Sequence, residues 1–227
     1  MNTSRDRILN KLKEATRISS ELPASPADID GRIEKGLKSV TPRDSESLLF
    51  QFKEELERVS GEFHRIGSVD AAARIISETM GQAGMDRIAV TGEEACQKIA
   101  ARLKEVEPSI EQIRALELAY PERKERLASV PAALVEAAYA VADIGSVVFL
   151  YDESRTSLPH FLSDCIFTVV KQSCLVANQF ELFQKLSPDK AKNMVFVTGP
   201  SRTADIEKVL ILGAHGPRQF VVLMLEE

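Results

Sequence analysis

Apolar residues follow two different patterns along the chain. In residues 45–59 they recur at helical spacing, with Leu48, Phe52 and Leu56 on one side. Towards the end they form short runs instead, such as F-V-V-L-M-L at residues 220–225. Runs of that kind are typical of strands that are covered on both faces. The pattern therefore predicts an α/β fold with a mostly parallel sheet flanked by helices.

The same patterns place the individual elements. Helices are predicted at residues 45–59, 70–80, 93–103, 132–142, 180–186 and 203–212. Strands are predicted at residues 87–90, 145–151, 166–170, 194–198 and 220–225.

The N-terminal part of the chain differs from the rest. A short amphipathic helix is predicted up to about Arg17, and a segment with several prolines follows it: Pro23, Pro26 and Pro42. We therefore expect an N-terminal helix and a Pro-containing arm at residues 1–44, and one α/β domain at residues 45–227.

Charge and hydropathy limit the classes of function. The net charge of −5 comes from 29 basic and 34 acidic residues, which argues against a nucleic-acid partner. The longest apolar run near the end has six residues, whereas a membrane-spanning helix needs about 18 or more. The first residues are charged and lack the apolar stretch of a signal peptide. We therefore expect a cytoplasmic protein with no membrane span.

The cysteines do not form a recognisable ligand set. Cys96, Cys165 and Cys174 are odd in number and contain no C-x-x-C pair. This spacing argues against a disulfide framework and against a zinc or iron–sulfur site built by this chain alone. We expect three reduced cysteines that act as small hydrophobic residues, with no metal and no cofactor on this chain.

Polar residues follow the strand predicted at 194–198. In a structural interpretation, Thr203 caps the next helix, and the carboxylates behind it complement the helix dipole. In a functional interpretation, backbone N–H groups, two hydroxyls and a guanidinium bind phosphate or carboxylate at the carboxyl edge of the sheet. The residues alone leave both interpretations open. The residues concerned are Gly199, Ser201, Arg202, Thr203, Asp205 and Glu207.

His215 stands between glycines, in the sequence G-A-H-G-P. It could interact with the dipole at the C-terminus of the predicted helix. Alternatively it is an acid, a base or a ligand that Gly213 and Gly216 leave uncovered.

The segment at 199–217 carries a resemblance to a known family. G-P-S-R-T-A-D-I-E followed by G-A-H-G-P resembles the LUD-domain family, and within it the lactate utilisation protein C branch. A-D-I-G-S at 142–146 and Arg155 with the following S-L-P agree with it. At the position of A-D-I-G-S, the family tends to have a Glu-Thr-Gly-Thr-like sequence. In this chain Asp143 therefore replaces a glutamate. The family also has a histidine before the strand at 166–170, where this chain has Cys165, with His160 displaced.

The resemblance implies a fold, a pathway and partners. The fold would be of the NagB/RpiA/CoA-transferase-like type. The pathway would be the oxidation of L-lactate to pyruvate, with companion proteins that carry iron–sulfur clusters. This chain would be a non-redox subunit that binds a ligand or a partner. If the chain is itself catalytic, the candidate acids and bases are Asp143, Asp205, Glu207 and His215. The candidates for binding a small anionic ligand are Arg155, Gly199, Ser201, Arg202, Thr203 and Gly216.

Two alternatives remain open at this point. The chain could be a stand-alone enzyme that acts on a small phosphorylated or carboxylated metabolite. It could also be a structural or regulatory protein whose N-terminal helix and arm clasp a partner.

Overall fold

The computed structural model describes residues 44–119, 122–151, 157–186, 193–204, 210–212 and 216–226, together with Lys11. The chain divides after Pro42 into two units, and every element with described bounds belongs to the second, Arg43–Glu227. The predicted N-terminal helix and the Pro-containing arm lie outside the described residues, apart from Lys11 and Asp44. The boundary at residue 44 therefore stays a prediction.

The described residues contain helices and strands in alternation. The helices are α1 (Ser45–Arg58), α2 (Val69–Gln82), α3 (Glu94–Val106), α4 (Glu122–Ala128), α5 (Leu158–Leu162) and α6 (Gln179–Lys185). The strands are β1 (Glu62–Ile66), β2 (Arg87–Val90), β3 (Glu111–Arg114), β4 (Ala132–Glu136), β5 (Tyr139–Val141), β6 (Ser146–Tyr151), β7 (Cys165–Lys171), β8 (Leu175–Val176), β9 (Asn193–Val197), β10 (Arg202–Ala204), β11 (Leu210–Leu212) and β12 (Gln219–Leu225). None of the helices in this part of the chain is long and apolar enough to cross a membrane.

A parallel sheet forms the centre of the fold. Its strands lie in the order β1–β12–β7–β4–β2–β3, and each neighbouring pair is parallel. In β12, Phe220 and Val222 face one side of the sheet, while Val221 and Leu223 face the other, and all four are buried. Two-sided burial explains why these strands are continuous apolar runs. The predicted mostly parallel α/β sheet is confirmed.

Helices cover both faces of the parallel sheet. Ile76 of α2 and Leu103 of α3 pack against one face, and Phe52 and Leu56 of α1 pack against the other. The helix predicted at 45–59 is confirmed as α1. It begins after Asp44, whose carboxylate accepts a hydrogen bond from the Ser47 backbone N–H at 2.8 Å.

A smaller mixed sheet lies over the α1 side of the parallel sheet. Its strands follow the order β8–β5–β6–β9, with β5 and β9 both antiparallel to β6. Phe149 of β6 belongs to the same hydrophobic cluster as the α1 face of the parallel sheet. On its other side, Val148 and Val176 pack with Leu182 of α6. The strand predicted at 194–198 is therefore present as β9, but it belongs to this second sheet.

The helix predicted at 132–142 is wrong. Its first residues form β4, between β2 and β7, and its later residues form β5. Alanine favours helices when nothing else decides. Here Ala132, Ala133 and Leu134 are fully buried in the middle of the sheet, and this packing outweighs the local preference.

Candidate functional site

The parallel sheet has a topological switch point between the adjacent strands β2 and β4. After β2 the chain passes through α3 and adds β3 on one side, whereas after β4 it adds β7 on the opposite side. Diverging connections leave a crevice at the carboxyl ends of the two strands, where open α/β sheets bind ligands. Here Thr91 follows β2, and Glu136 is the last residue of β4. The fold therefore marks this carboxyl edge as the candidate site.

Thr91 is fixed firmly at this crevice. Its backbone N–H and its hydroxyl both donate to the carbonyl oxygen of Leu134, each at 3.2 Å. Gln97 Nε2 donates to the carbonyl oxygen of Thr91 at 2.6 Å. These bonds tie the loop between β2 and α3 to β4, so that α3 begins directly beside the crevice.

A cavity of about 400 Å³, which we call the edge cavity, lies at the carboxyl edge of the sheet. Lys98 Nζ lies 2.6 Å from Glu94 Oε1, and this contact, with the charge of Lys171, lowers the pKa of Glu94. Lysines can hold a carboxylate, and carboxylates can accept a hydrogen bond from a hydroxyl group. The charged residues that line the edge cavity are Glu94, Lys98, Glu136, Lys171 and Glu226.

The charge balance of the edge cavity limits the ligand. Three carboxylates face two ammonium groups, so the lining has no excess of positive charge. A phosphate ester with two negative charges would meet net repulsion there. A ligand with a single carboxylate would meet less repulsion than such an ester.

A second, narrow space lies at the switch point. It has a volume of about 10 Å³, and Thr91, Glu93, Glu136 and Tyr151 line it. That is room for roughly one water molecule. Glu136 lines both this space, which we call the switch crevice, and the edge cavity. A carboxylate thus stands where the two spaces meet.

Tyr151 connects the switch crevice to a buried histidine. The Tyr151 hydroxyl is hydrogen-bonded to Nδ1 of His160, a residue of α5. The His160 ring stacks on Phe149 and on Tyr151, with centroids 5.1 and 5.3 Å away. Burial lowers the pKa of His160 to about 4, so the imidazole is neutral at pH 7.

The structure brings some of the sequence-predicted residues together. Gly199 has φ of +124°, which agrees with a turn that needs glycine. The Ser201 backbone N–H donates to the Pro217 carbonyl oxygen at 2.8 Å. A Cβ atom on Gly216 would lie 3.1 Å from Ser201 Cβ. Ser201 and Gly216 are therefore direct neighbours, as a shared site would require.

Asp143 lies in a separate turn that is linked to this loop. It is exposed, in a 3₁₀ turn over Ala142–Ile144, and its N–H donates to the Ala177 carbonyl oxygen at 3.1 Å. Ser146 Oγ and Thr198 Oγ1 share a hydrogen bond of 2.7 Å. That bond joins the Asp143 turn to the Gly199 turn. The predicted catalytic role of Asp143 stays a prediction.

The helix predicted at 203–212 is wrong in its described part. Arg202–Ala204 and Leu210–Leu212 form an antiparallel pair, with Arg202 opposite Leu212. Thr203 is therefore not a helix cap, because it lies inside β10. Short apolar segments fit a strand and a helix equally well, and here strand pairing decides. The other predicted site residues lie outside the described residues: Arg155, Asp205, Glu207 and His215.

The loop after Thr198 also lies at a different edge from the one predicted. It follows β9, which belongs to the mixed sheet. Ser201 is bonded to Pro217, two residues before β12 begins, at the amino end of the parallel sheet. The expectation that this loop stands at the carboxyl edge of the sheet is wrong, because the sequence does not show which sheet a strand joins.

The residues at the switch point were not predicted from the sequence. Glu136 was missed because residues 132–142 were predicted as a helix, so that it was not recognised as the last residue of a strand. Lys171 carried a usable signal, because it directly follows the apolar run predicted as the strand at 166–170. Ligands of open α/β sheets bind beyond the carboxyl ends of the strands, so a charged residue in that position is a candidate for a ligand contact. Tyr151 gave no such signal, since aromatic residues are common in any buried strand.

Two of the cysteines are buried in the core. Cys96 and Cys165 pack in the hydrophobic cluster beneath α2 and α3. Burial raises the pKa of the Cys96 thiol strongly and that of Cys165 to about 12. Both thiols are protonated at pH 7 and behave as small hydrophobic residues. Within the described residues, His, Cys, Asp and Glu side chains form no group of three or more that could hold a metal ion.

These features define an α/β protein whose parallel sheet has a crevice at its switch point. Residues 49–225 match the LUD domain, and the chain belongs to that family. The resemblance noted at 199–217 is therefore confirmed. A crystal structure of a DUF162 family protein from Deinococcus radiodurans has a similar fold, with a TM-score of 0.60 and 15% identity. The match covers 81% of this chain and 99% of that one.

Curated relatives match a shorter part of the chain. Lactate utilization protein C of Bacillus pumilus is 29% identical over 95 residues, which are 39% of this chain and 40% of that protein. The uncharacterized protein YkgG of Escherichia coli is 27% identical over 100 residues, which are 41% and 43% of the two chains. The matched segment spans less than half the length of these relatives.

Proposed function

We propose that this chain is a cytoplasmic, non-redox subunit of a system that oxidises L-lactate to pyruvate. The similarity to relatives named Lactate utilization protein C carries this proposal. Membership of the LUD family supports it. In this proposal the chain binds a small carboxylate-bearing ligand, and the partners are iron–sulfur proteins of the same system.

The edge cavity supplies the chemistry for such a ligand. Lys98 and Lys171 would hold the carboxylate of a 2-hydroxy acid, and Glu136 would accept the hydrogen bond of its hydroxyl group. The lining has no excess of positive charge, which suits a monocarboxylate better than a doubly charged phosphate. A cavity of about 400 Å³ exceeds the size of lactate and leaves room for a partner segment beside it.

The redox balance of the reaction explains the need for partners. Oxidation of L-lactate to pyruvate removes two electrons and two protons from the carbon and oxygen of its alcohol group, so an electron acceptor is required. In this proposal iron–sulfur partners accept the electrons. The described residues of this chain would bind and orient the ligand and hold protons at carboxylates such as Glu136.

A second candidate function is supported by the switch crevice. Glu93, Glu136 and Tyr151 line one small space, and such groups can act as acids and bases. The chain would then be a stand-alone enzyme that acts on a small carboxylated or phosphorylated metabolite. A thermal-shift screen of sugar phosphates, acyl-CoA compounds and carboxylates distinguishes this candidate function from the first. Stabilisation by RT ln(1 + [L]/Kd) should reach about 2.7 kcal/mol at a hundredfold excess over Kd.

Growth on L-lactate tests the first proposal and its site. A strain in which this gene is deleted should not grow on L-lactate as sole carbon source, and the wild-type gene should restore growth. With Lys171→Met, the L-lactate concentration for half-maximal growth should rise about tenfold or more. The reason is that a hydrogen bond to a charged group contributes about 1.5–3 kcal/mol.

Two further variants show which site is used. Lys104→Met removes an exposed lysine of α3 that lies outside the edge cavity, and it should behave as wild type. Arg202→Ala tests the loop predicted from the sequence. If Arg202→Ala abolishes growth while Lys171→Met restores it fully, the ligand binds at the loop and the edge cavity is not the site. Normal growth of the deletion strain would remove the chain from this pathway.

A further inference from the structure

Glu226 directly follows β12, and its carboxylate lines the edge cavity. Its backbone N–H donates to the carbonyl oxygen of Ile66 at 2.9 Å, which ties it to the last residue of β1. A Cβ atom on Gly67 would lie 3.4 Å from Glu226 Oε2, so the side chain passes close to the turn that follows β1. The carboxylate is therefore held at a defined place on the wall of the cavity.

The cation that partners Glu226 is Arg65, a residue of β1. Arg65 Nε contacts Glu226 Oε1, while Nη1 and Nη2 donate to the two carboxylate oxygens of Glu46, each at 2.9 Å. The guanidinium is thus shared between Glu226 and a carboxylate in the first turn of α1. Arg65 and Glu226 both line a second cavity, of about 430 Å³, at the same edge of the sheet. Arg65 does not line the edge cavity.

Glu226 differs in this respect from Glu94, the other carboxylate of the edge cavity with a contact to a cation described above. Glu94 is paired inside the cavity, because Lys98 also belongs to the lining. The partner of Glu226 lies outside the lining. Since the interaction between charges weakens with distance, Arg65 offsets the charge of Glu226 only in part for a ligand in the edge cavity. Such a ligand therefore meets a net repulsion from Glu226 when it is an anion.

We propose that Glu226 selects the charge of the ligand, so that the edge cavity accepts a monocarboxylate and disfavours an anion with two negative charges. The energy of a pair of charges is proportional to their product, so a doubly charged anion meets twice the repulsion from Glu226. Arg65 is a positioning residue that holds the Glu226 carboxylate and limits this repulsion. This inference rests on the proposed function, because it assumes that the edge cavity binds a small carboxylate-bearing ligand.

Two probes of similar size test this selection. At pH 8 L-lactate carries one negative charge and malonate carries two. Titration of the ¹⁵N-labelled full chain at constant ionic strength gives the Kd of each anion, and the backbone signals of Ala95 and Ile99 report on the edge cavity. Glu226→Gln should lower the Kd of L-lactate about threefold and that of malonate about tenfold, because doubling the charge of the ligand squares the factor.

Three further variants separate the charge of Glu226 from other effects. Arg65→Gln should raise both Kd values, and that of malonate more, because Glu226 then keeps its charge without its cation. In the double variant Arg65→Gln/Glu226→Gln one positive and one negative charge are lost together, so both Kd values should lie within about threefold of the wild type. Glu78→Gln is the matched control. It removes an exposed carboxylate of α2 that does not line the edge cavity, and it should change neither Kd.

The outcomes distinguish this inference from the proposed function. Equal changes of the two Kd values in Glu226→Gln would mean that shape and not charge decides, and would overturn the inference. It is overturned as well if Glu226→Gln does not bind malonate more tightly, or if binding leaves the signals of Ala95 and Ile99 unmoved. If the deletion strain grows normally on L-lactate while the Kd of malonate still falls more than that of L-lactate, the proposed function fails and the charge selection stands. If the deletion strain does not grow but the two Kd values change alike, the charge selection fails and the proposed function stands.

Discussion

We expect Gly145→Ala to lower the free energy of unfolding by about 3 kcal/mol or more. Gly145 has φ of +59°, a conformation that disfavours a side chain. A Cβ atom there would also overlap the backbone nitrogen of Leu56 and lie 2.6 Å from the carbonyl carbon of Glu55. These are backbone atoms of α1, so the whole helix would have to shift. Urea unfolding followed by circular dichroism measures the loss.

Gly84→Ala is the matched control for this prediction. Gly84 has a similar φ of +65°, but nothing lies within 4 Å of the position of its Cβ. It should lose about 1 kcal/mol, which is the cost of the backbone conformation alone. The difference between the two variants isolates the contact with α1. Equal losses would mean that α1 does not need this close approach to the Gly145 turn.

Predicted elements were correct where one physical effect dominated. The short apolar run at 220–225 was predicted as a strand buried on both faces, and it forms β12 between β1 and β7 of the parallel sheet. The helical spacing at 45–59 buried Phe52 and Leu56 against the sheet, as predicted. In each case the hydrophobic pattern and the final burial agree, so local sequence was sufficient.

Elements were mispredicted where burial and local preference disagreed. The alanine-rich segment at 132–142 favours a helix, but small side chains also suit a strand packed between β2 and β7. The short strands β1 and β3 were not predicted, because Glu62–Ile66 and Glu111–Arg114 contain few apolar residues. Both strands are sheet edges in the described fold, where one side needs no partner and polar residues are tolerated.

The candidate site was the hardest part to predict. Its geometry depends on the order of strands, and only the order shows that Glu136 and Lys171 share an edge with Thr91. Glu136 and Lys171 follow Thr91 by 45 and 80 positions in the sequence, and local periodicity cannot show that residues so far apart lie together. The loop at 199–203 was conspicuous because its residues are close in sequence. Its described part lies instead at the amino end of β12.

We expect the stability of the protein to fall by about 2 kcal/mol between pH 7 and pH 5 because of His160 alone. Burial lowers the pKa of His160 to about 4 in the folded state, whereas an unfolded histidine has a pKa of about 6.5. Between these values the unfolded chain binds a proton that the folded protein does not. Proton binding therefore favours unfolding, and the contribution is complete above pH 6.5 and lost as the pH falls towards 4.

His160→Phe separates this effect from other titrations, because phenylalanine keeps the aromatic stack with Phe149 and cannot titrate. Urea unfolding of both proteins at half-unit steps from pH 7 to pH 5 gives the two stability curves. The free energy of unfolding of His160→Phe also reflects the lost hydrogen bond to Tyr151. The comparison therefore uses the change of this free energy with pH and not its value at one pH. The wild type should lose about 2 kcal/mol more than His160→Phe across this range. Parallel curves would mean that His160 takes up its proton in the folded state near its ordinary pKa. In that case water reaches the ring, and burial does not lower the pKa of His160.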